Sequence, residues 1–173
     1  MEITEVKFEK LFSLERYNNE KIGLTSSVSK ADNPDQVMAE LILRVLTIED
    51  CLKLYRQLCE TEQYYSNEVA RWERQIEQTK SQIAEMKASI DTLAKKIEET
   101  GDVDDKLRHA CSGRSYKTLQ TDLQRYEDEL SRAKGQVVKA TNAREEMKQR
   151  IKVGKFTDKD LDLPKIIHSD QYY

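Results

Sequence analysis

Apolar residues recur through the middle of the chain at alternating intervals of three and four. Val69, Ile76, Ile83, Ile90 and Ile97 hold one heptad position, and Trp72, Thr79, Met86 and Leu93 hold the other. A second run comprises Leu119, Leu123, Tyr126, Leu130, Ala133, Val137, Ala140, Met147 and Ile151. Such spacing makes a helical seam that another helix must cover. Two seams joined by a turn-rich stretch predict an antiparallel coiled-coil hairpin within one chain; separate intermolecular coils are the alternative. With Thr100 set opposite Tyr116, Ile97 meets Leu119, Ile90 meets Tyr126, Ile83 meets Ala133 and Thr79 meets Val137. Large residues then face small ones at Ile83/Ala133 and Ile76/Ala140. In that register Arg144 falls opposite Trp72, where a guanidinium can stack on the indole. At 1.5 Å per residue the arm would extend roughly 55 Å.

The first 29 or so residues alternate instead. Val6, Phe8, Phe12 and Leu14 share one parity, and Ile22, Leu24 and Val28 share one parity further on, as strands with one buried face do. Tyr17-Asn18-Asn19 supplies the turn between them. Ile3 and Leu11 fall off the pattern, which predicts a bulge or burial on both faces. Helix entry is marked at Asn33: an N-cap, then Pro34 at the first helical position, Asp35 for the dipole and Gln36 to close a capping box. The stripe Val37, Met38, Leu41, Ile42, Val45, Leu46 and Ile48 is broad enough to cover the β-hairpin. Thr47 to Asp50 repeats the capping pattern, which predicts a break there, with a continuous helix as the alternative. Cys51, Leu52, Leu54, Tyr55 and Leu58 carry the stripe onward.

Gly101 is a good helix stop, and Ser112 or Ser115 a restart cap, so residues 101–115 read as the tip of the arm. Lys106, Arg108, His109 and Arg114 cluster there beside Asp102, Asp104 and Asp105. A tip of that length exceeds what two antiparallel helices need and hints at a contact surface. Gly154 ends the second helix. The tail beyond it carries Phe156, Leu161, Leu163, Ile166, Ile167, Tyr172 and Tyr173, and is too apolar for a plain disordered tail. It covers the β-hairpin, the Cys51–Leu58 segment or a second subunit. The fold class is therefore α+β, mostly α. A β-hairpin and helix head (residues 1–61) carries a coiled-coil hairpin arm (62–152), and a C-terminal tail (153–173) returns to the head.

Composition narrows the classes. Of 173 residues, 35% are charged, of mixed sign and with a net charge of −3, which suits solvated helix faces better than a nucleic-acid domain with a basic surplus. Five glycines and two prolines permit long helices. Cys51, Cys59 and Cys111 are isolated, with no CxxC pair, which argues against a disulfide framework and a zinc site. No apolar run is long enough to span a bilayer and no signal-peptide pattern opens the chain, so the expected setting is the cytoplasm, away from membranes.

Catalytic patterns are missing. The glycines are scattered, there is no HExxH or GxSxG, and His109 and His168 sit in different irregular segments. Carboxylates lie at helix-surface spacing beside Lys or Arg. No metal or cofactor is expected, and the chain reads as a non-enzyme.

The stretch Phe12 to Leu24 (FSLERYNNEKIGL), then Asn33-Pro34-Asp35 and Glu40-Leu41, resembles a segment of small proteins from phages, archaea and mobile elements. Those open with a strand, a Leu-Gly-Asn-Tyr-Glu-Asn-like turn, a second strand and an Asp/Asn-Pro helix start. Glu15 and Arg16 stand here where that pattern has Gly and Asn. The resemblance covers about the first 45 residues. It implies a β-hairpin-plus-helix head and a phage or mobile-element setting, and it supplies no activity or site.

The function expected is that of an adaptor or scaffold using its arm for protein interaction, with itself as a homo-oligomer or with another protein. Candidate contact residues are Lys106, Arg108, His109 and Arg114 at the tip, Leu52 and Tyr55 on the stripe, and Tyr172 and Tyr173 in the tail. The alternative is nucleic-acid binding by the second arm helix, through Arg125, Arg132, Lys134, Lys139, Arg144, Lys148, Arg150 and Lys152 with the tip cations.

Overall fold

The alternating N-terminal residues form a two-stranded antiparallel sheet, β1 (Glu5–Leu14) and β2 (Asn18–Ser27), followed by two helices, α1 (Pro34–Thr100) and α2 (Val103–Lys152). The computed structural model describes residues 3–14 and 18–167, and the side chains among them other than those of 12–14 and 18–20. Tyr17 of the predicted turn, His168, Tyr172 and Tyr173 lie outside the described residues. Asn18 and Asn19 belong to the ladder of β2 rather than to a turn. By internal contacts the chain divides into two units: Met1–Glu60 with Lys139–Tyr173, and Thr61–Val138.

In the first unit the sheet is held by its even-numbered face. The ladder runs without a bulge from Glu5 opposite Ser27 to Leu14 opposite Asn18. Val6, Val28 and Leu41 are buried, and Phe8, Leu24, Val37 and Met38 pack around them. Ile3 and Leu11 are 51% and 63% exposed, so neither a bulge nor two-sided burial accounts for them. Below this cluster the buried Glu49 accepts hydrogen bonds from Lys10 of β1 at 2.6 Å and from Lys53 at 2.8 Å. The two ammonium groups, Lys10 first, hold its carboxyl below the usual range.

The outer face of the sheet carries a second carboxylate clamp. Glu9 sits between Lys21 and Lys7, the latter at 2.7 Å, and these lysines, Lys21 foremost, lower its pKa to about 2. A depressed folded pKa contributes stability above the unfolded value of about 4.3, and that contribution is lost as pH falls through the folded value. NMR titration of the Glu9 side-chain carbon is expected to give a midpoint near 2, moved upward by Lys21→Ala. A midpoint in the ordinary carboxylate range in the unsubstituted protein would show that the clamp does not hold in solution.

Helix α1 starts as its sequence directs: the Asp35 N–H donates to Asn33 Oδ1 at 3.0 Å. The break expected at Thr47 does not occur. The Thr47 hydroxyl donates to the Leu43 carbonyl at 2.8 Å, so it bonds back within the helix instead of capping a new one. Val45, Cys51 and Leu58 bury continuously along the same segment. A second core, Cys51, Leu58, Ala143 and Met147, joins α1 to the end of α2. Leu54, Tyr55, Ile151, Phe156, Leu161 and Leu163 pack against it, so the tail lies on the Cys51–Leu58 segment. The chain leaves α2 through Gly154 at φ +70, with Lys155 N–H donating to Arg150 O and Gly154 N–H to Ile151 O. This paired pattern satisfies carbonyls at the helix end. Arg150 then donates to the carbonyls of Thr157 and Lys159, which fixes the start of the tail.

The second unit is an antiparallel helical hairpin built from Thr61–Thr100 of α1 and Val103–Val138 of α2. Every expected seam residue from Val69 to Ile97 and from Leu119 to Val137 is buried or half-buried. The register is not the expected one. Lys96 pairs with Asp105 at 3.1 Å, Lys134 with Glu73 at 2.9 Å, and Trp72 stacks on Tyr126 with ring centroids 5.6 Å apart. The cation over the Trp72 ring is Arg71, at 5.0 Å, not Arg144, which belongs to the first unit. The cause is at the turn: residues 103–115, expected as a loop, are helical, and the connection is Gly101-Asp102 alone. Starting the second helix earlier slides its seam along the first by about two heptads, and a heptad repeat accepts that slide.

Candidate functional site

The turn between the helices is closed by its own residues. Gly101 takes φ +68, where a side chain is disfavoured, and its N–H donates to the Ile97 carbonyl at 2.9 Å. Asp102 caps α2: its Oδ1 accepts from the Asp104 N–H at 2.9 Å. Asp105, 3% exposed, faces inward and meets Lys96. The first turn of α2 is thus acidic on the side that the dipole favours and anchored to α1 by one ion pair.

With residues 103–115 in a helix, the expected tip cations become ordered. Lys106, Arg108 and Arg114 are exposed and His109 is half-buried. Val103 and Leu107 are 75% and 65% exposed, and Ala110 and Cys111 are exposed as well. Spacing of three and four sets Val103, Leu107, Ala110 and Arg114 on one face, away from the half-buried His109, Ser112 and Tyr116. Among the described residues no ion pair engages Lys106, Arg108 or Arg114. The result is a short apolar strip carrying arginine and flanked by lysine. Sequence reasoning named the cations and missed Val103 and Leu107. The signal that would have found them is Asp102-Val103-Asp104-Asp105, a helix start directly after a glycine stop.

The other candidates lie elsewhere. Leu52 and Tyr55 are half-buried in the first unit, where Tyr55 packs on the Cys51–Leu58 core. Tyr172 and Tyr173 are outside the described residues. The cations of α2 are mostly engaged. Arg125 pairs with Asp122, Arg132 with Glu129, Lys134 with Glu73, Lys139 with Asp162, Arg144 and Lys148 with Glu145, and Arg150 with Glu146.

Further down the second unit an open groove is lined by Glu85, Met86 and Ser89 of α1 and Ser112, Ser115 and Leu119 of α2. Small hydroxyl side chains face each other across it, so it marks a thin layer of the seam. Cys51 is buried, and burial pushes its thiol up; Cys59 is half-buried and Cys111 exposed. Among the described residues no cluster of His, Cys, Asp and Glu could hold a metal ion, and no helix is long and apolar enough to cross a membrane. No family model matches the chain, and neither a curated protein nor a solved structure matches it.

Proposed function

We propose that this chain is a non-enzymatic adaptor or scaffold that presents the first turns of α2 to a protein partner. The observation that supports this most is the strip at the turn: two large apolar side chains, Val103 and Leu107, 75% and 65% exposed, beside cations without ion pairs among the described residues. Arginine is enriched at binding hot spots, and exposed apolar side chains beside it would exclude water from it once a partner docks. The turn itself is stiffened by the Gly101 and Asp102 caps, so little ordering cost is added on binding. The reading sets the protein in the cytoplasm, where its three cysteines stay thiols.

The test is capture from an extract of the source cells, with the whole chain as bait and a Val103→Ser/Leu107→Ser/Arg114→Ser variant beside it. A partner retained by the first and lost by the second is expected. Equal recovery on both baits, or none on either, overturns the assignment. The nucleic-acid reading is weakened along α2, where seven of its eight cations already sit in ion pairs, Arg144 and Lys148 sharing Glu145. No mobility shift is expected with single- or double-stranded probes at low salt.

A further inference from the structure

The sheet has two strands only, so among the described residues β1 and β2 each keep one edge with no strand beside it. An open edge is a row of unpaired N–H and C=O groups and a template for another strand. β1 contains neither proline nor glycine, and its ladder is unbroken over ten residues. Nothing in its backbone blunts the edge.

Its outer face reads Glu5, Lys7, Glu9, Leu11, with the apolar residue 63% exposed. Strict alternation of sign has a consequence for pairing. We propose that β1 pairs antiparallel with β1 of a second copy, about a two-fold axis at Phe8, giving a four-stranded sheet β2-β1-β1-β2. In this register Lys7 stands opposite Glu9 of the second copy, and Glu9 opposite its Lys7. Leu11 comes beside the methylene stem of Glu5. On the other face Phe8 meets Phe8, which extends the apolar surface that already packs on Val6, Val28 and Leu41.

The neighbouring registers fail on charge. An axis at Lys7 sets Lys7 against Lys7 and Glu5 against Glu9. An axis at Glu9 sets two glutamates face to face. Like charges directly opposite destabilise a strand pair, and opposite charges stabilise it. Symmetry about an axis through the sheet also requires that each residue meet one of its own parity, so the intermediate registers are closed. The edge of β2 offers no such choice: its described outer-face residues are Lys21, Gly23, Thr25 and Ser27, with one charge among them. The occupant that the β1 edge selects is therefore another β1.

Sedimentation velocity of the full chain at low ionic strength, over a wide range of concentration, tests this. A reversible monomer–dimer equilibrium is expected. Lys7→Glu sets glutamates opposite each other twice and should weaken the dimer by about tenfold. The double exchange Lys7→Glu/Glu9→Lys restores both cross pairs and should return the dimer. Amide hydrogen exchange of the unsubstituted chain gives a readout free of any folding defect. Edge amides of β1 should slow as concentration rises, and edge amides of β2 should not. A chain that stays monomeric overturns the proposal, as does a Lys7→Glu variant that dimerises like the parent. Rising concentration without protection in β1 does the same. None of these measurements touches residues 103–114, so this pairing and the strip at the helical turn stand or fall separately.

Discussion

Leu58→Ala is expected to lower the free energy of unfolding by about 2–5 kcal/mol. Leu58 is fully buried, and the cluster it centres on draws on three stretches of chain: Cys51 to Leu58 of α1, Ala143 to Ile151 of α2, and Phe156 to Leu163 of the tail. Removing its three outer carbons leaves a void that no one stretch can close, because the wall opposite it is a helix with Met147 and Ala143 already packed to 0% and 3% exposure. Transfer and cavity terms then add. Denaturant unfolding followed by circular dichroism reads the loss, with Leu43→Ala as the comparison. Leu43 lies on the same helix at 65% exposure, and truncating it should change stability by less than about 0.5 kcal/mol. Equal effects at the two positions would mean that the tail does not close over Leu58 in solution.

The two seams and the β-hairpin were legible in the sequence because each is a local pattern. Alternation at Val6, Phe8, Leu24 and Val28 returns as one face of the sheet, and Val69 to Ile97 returns as a line of buried and half-buried residues. Asn33-Pro34-Asp35 capped its helix as written. The alignment of the two helices was not legible. Ile76, Ile83 and Ile90 are interchangeable to a facing seam, so moving the second helix by whole heptads keeps the seam in phase while changing which residues meet. Only the connection fixes the alignment, and there two readings competed. Ser112-Gly113-Arg114-Ser115 has the composition of a turn, and it is helical. A glycine inside a helix costs about 1 kcal/mol, which a long helix capped by Asp102 and paired through Lys96 and Asp105 absorbs. The candidate site suffered from the same error. Its cations were named from charge alone, and a loop reading could not order Val103, Leu107 and Arg114 on one face.

Ser112→Pro is expected to destabilise the protein by about 3 kcal/mol or more, and Val103→Pro to leave it nearly unchanged. The pair decides whether residues 103–115 are helix or loop, because a loop would accept proline at either position. Val103 opens α2, its N–H has no partner four residues back within the helix, and its side chain is 75% exposed. Proline is at home there, with φ already near the helical value. Ser112 lies well inside the same helix and is half-buried toward α1, beside Ser89. Proline at that point removes a helical hydrogen bond and drives its ring against the carbonyl of Arg108. The kink would fall between Leu107 and Arg114 and split the strip. Thermal and denaturant unfolding separate the two variants directly. Equal tolerance of both prolines would return residues 101–115 to a loop. The slide of about two heptads would then lose its cause, and the Trp72–Tyr126 stack would have to be explained without it.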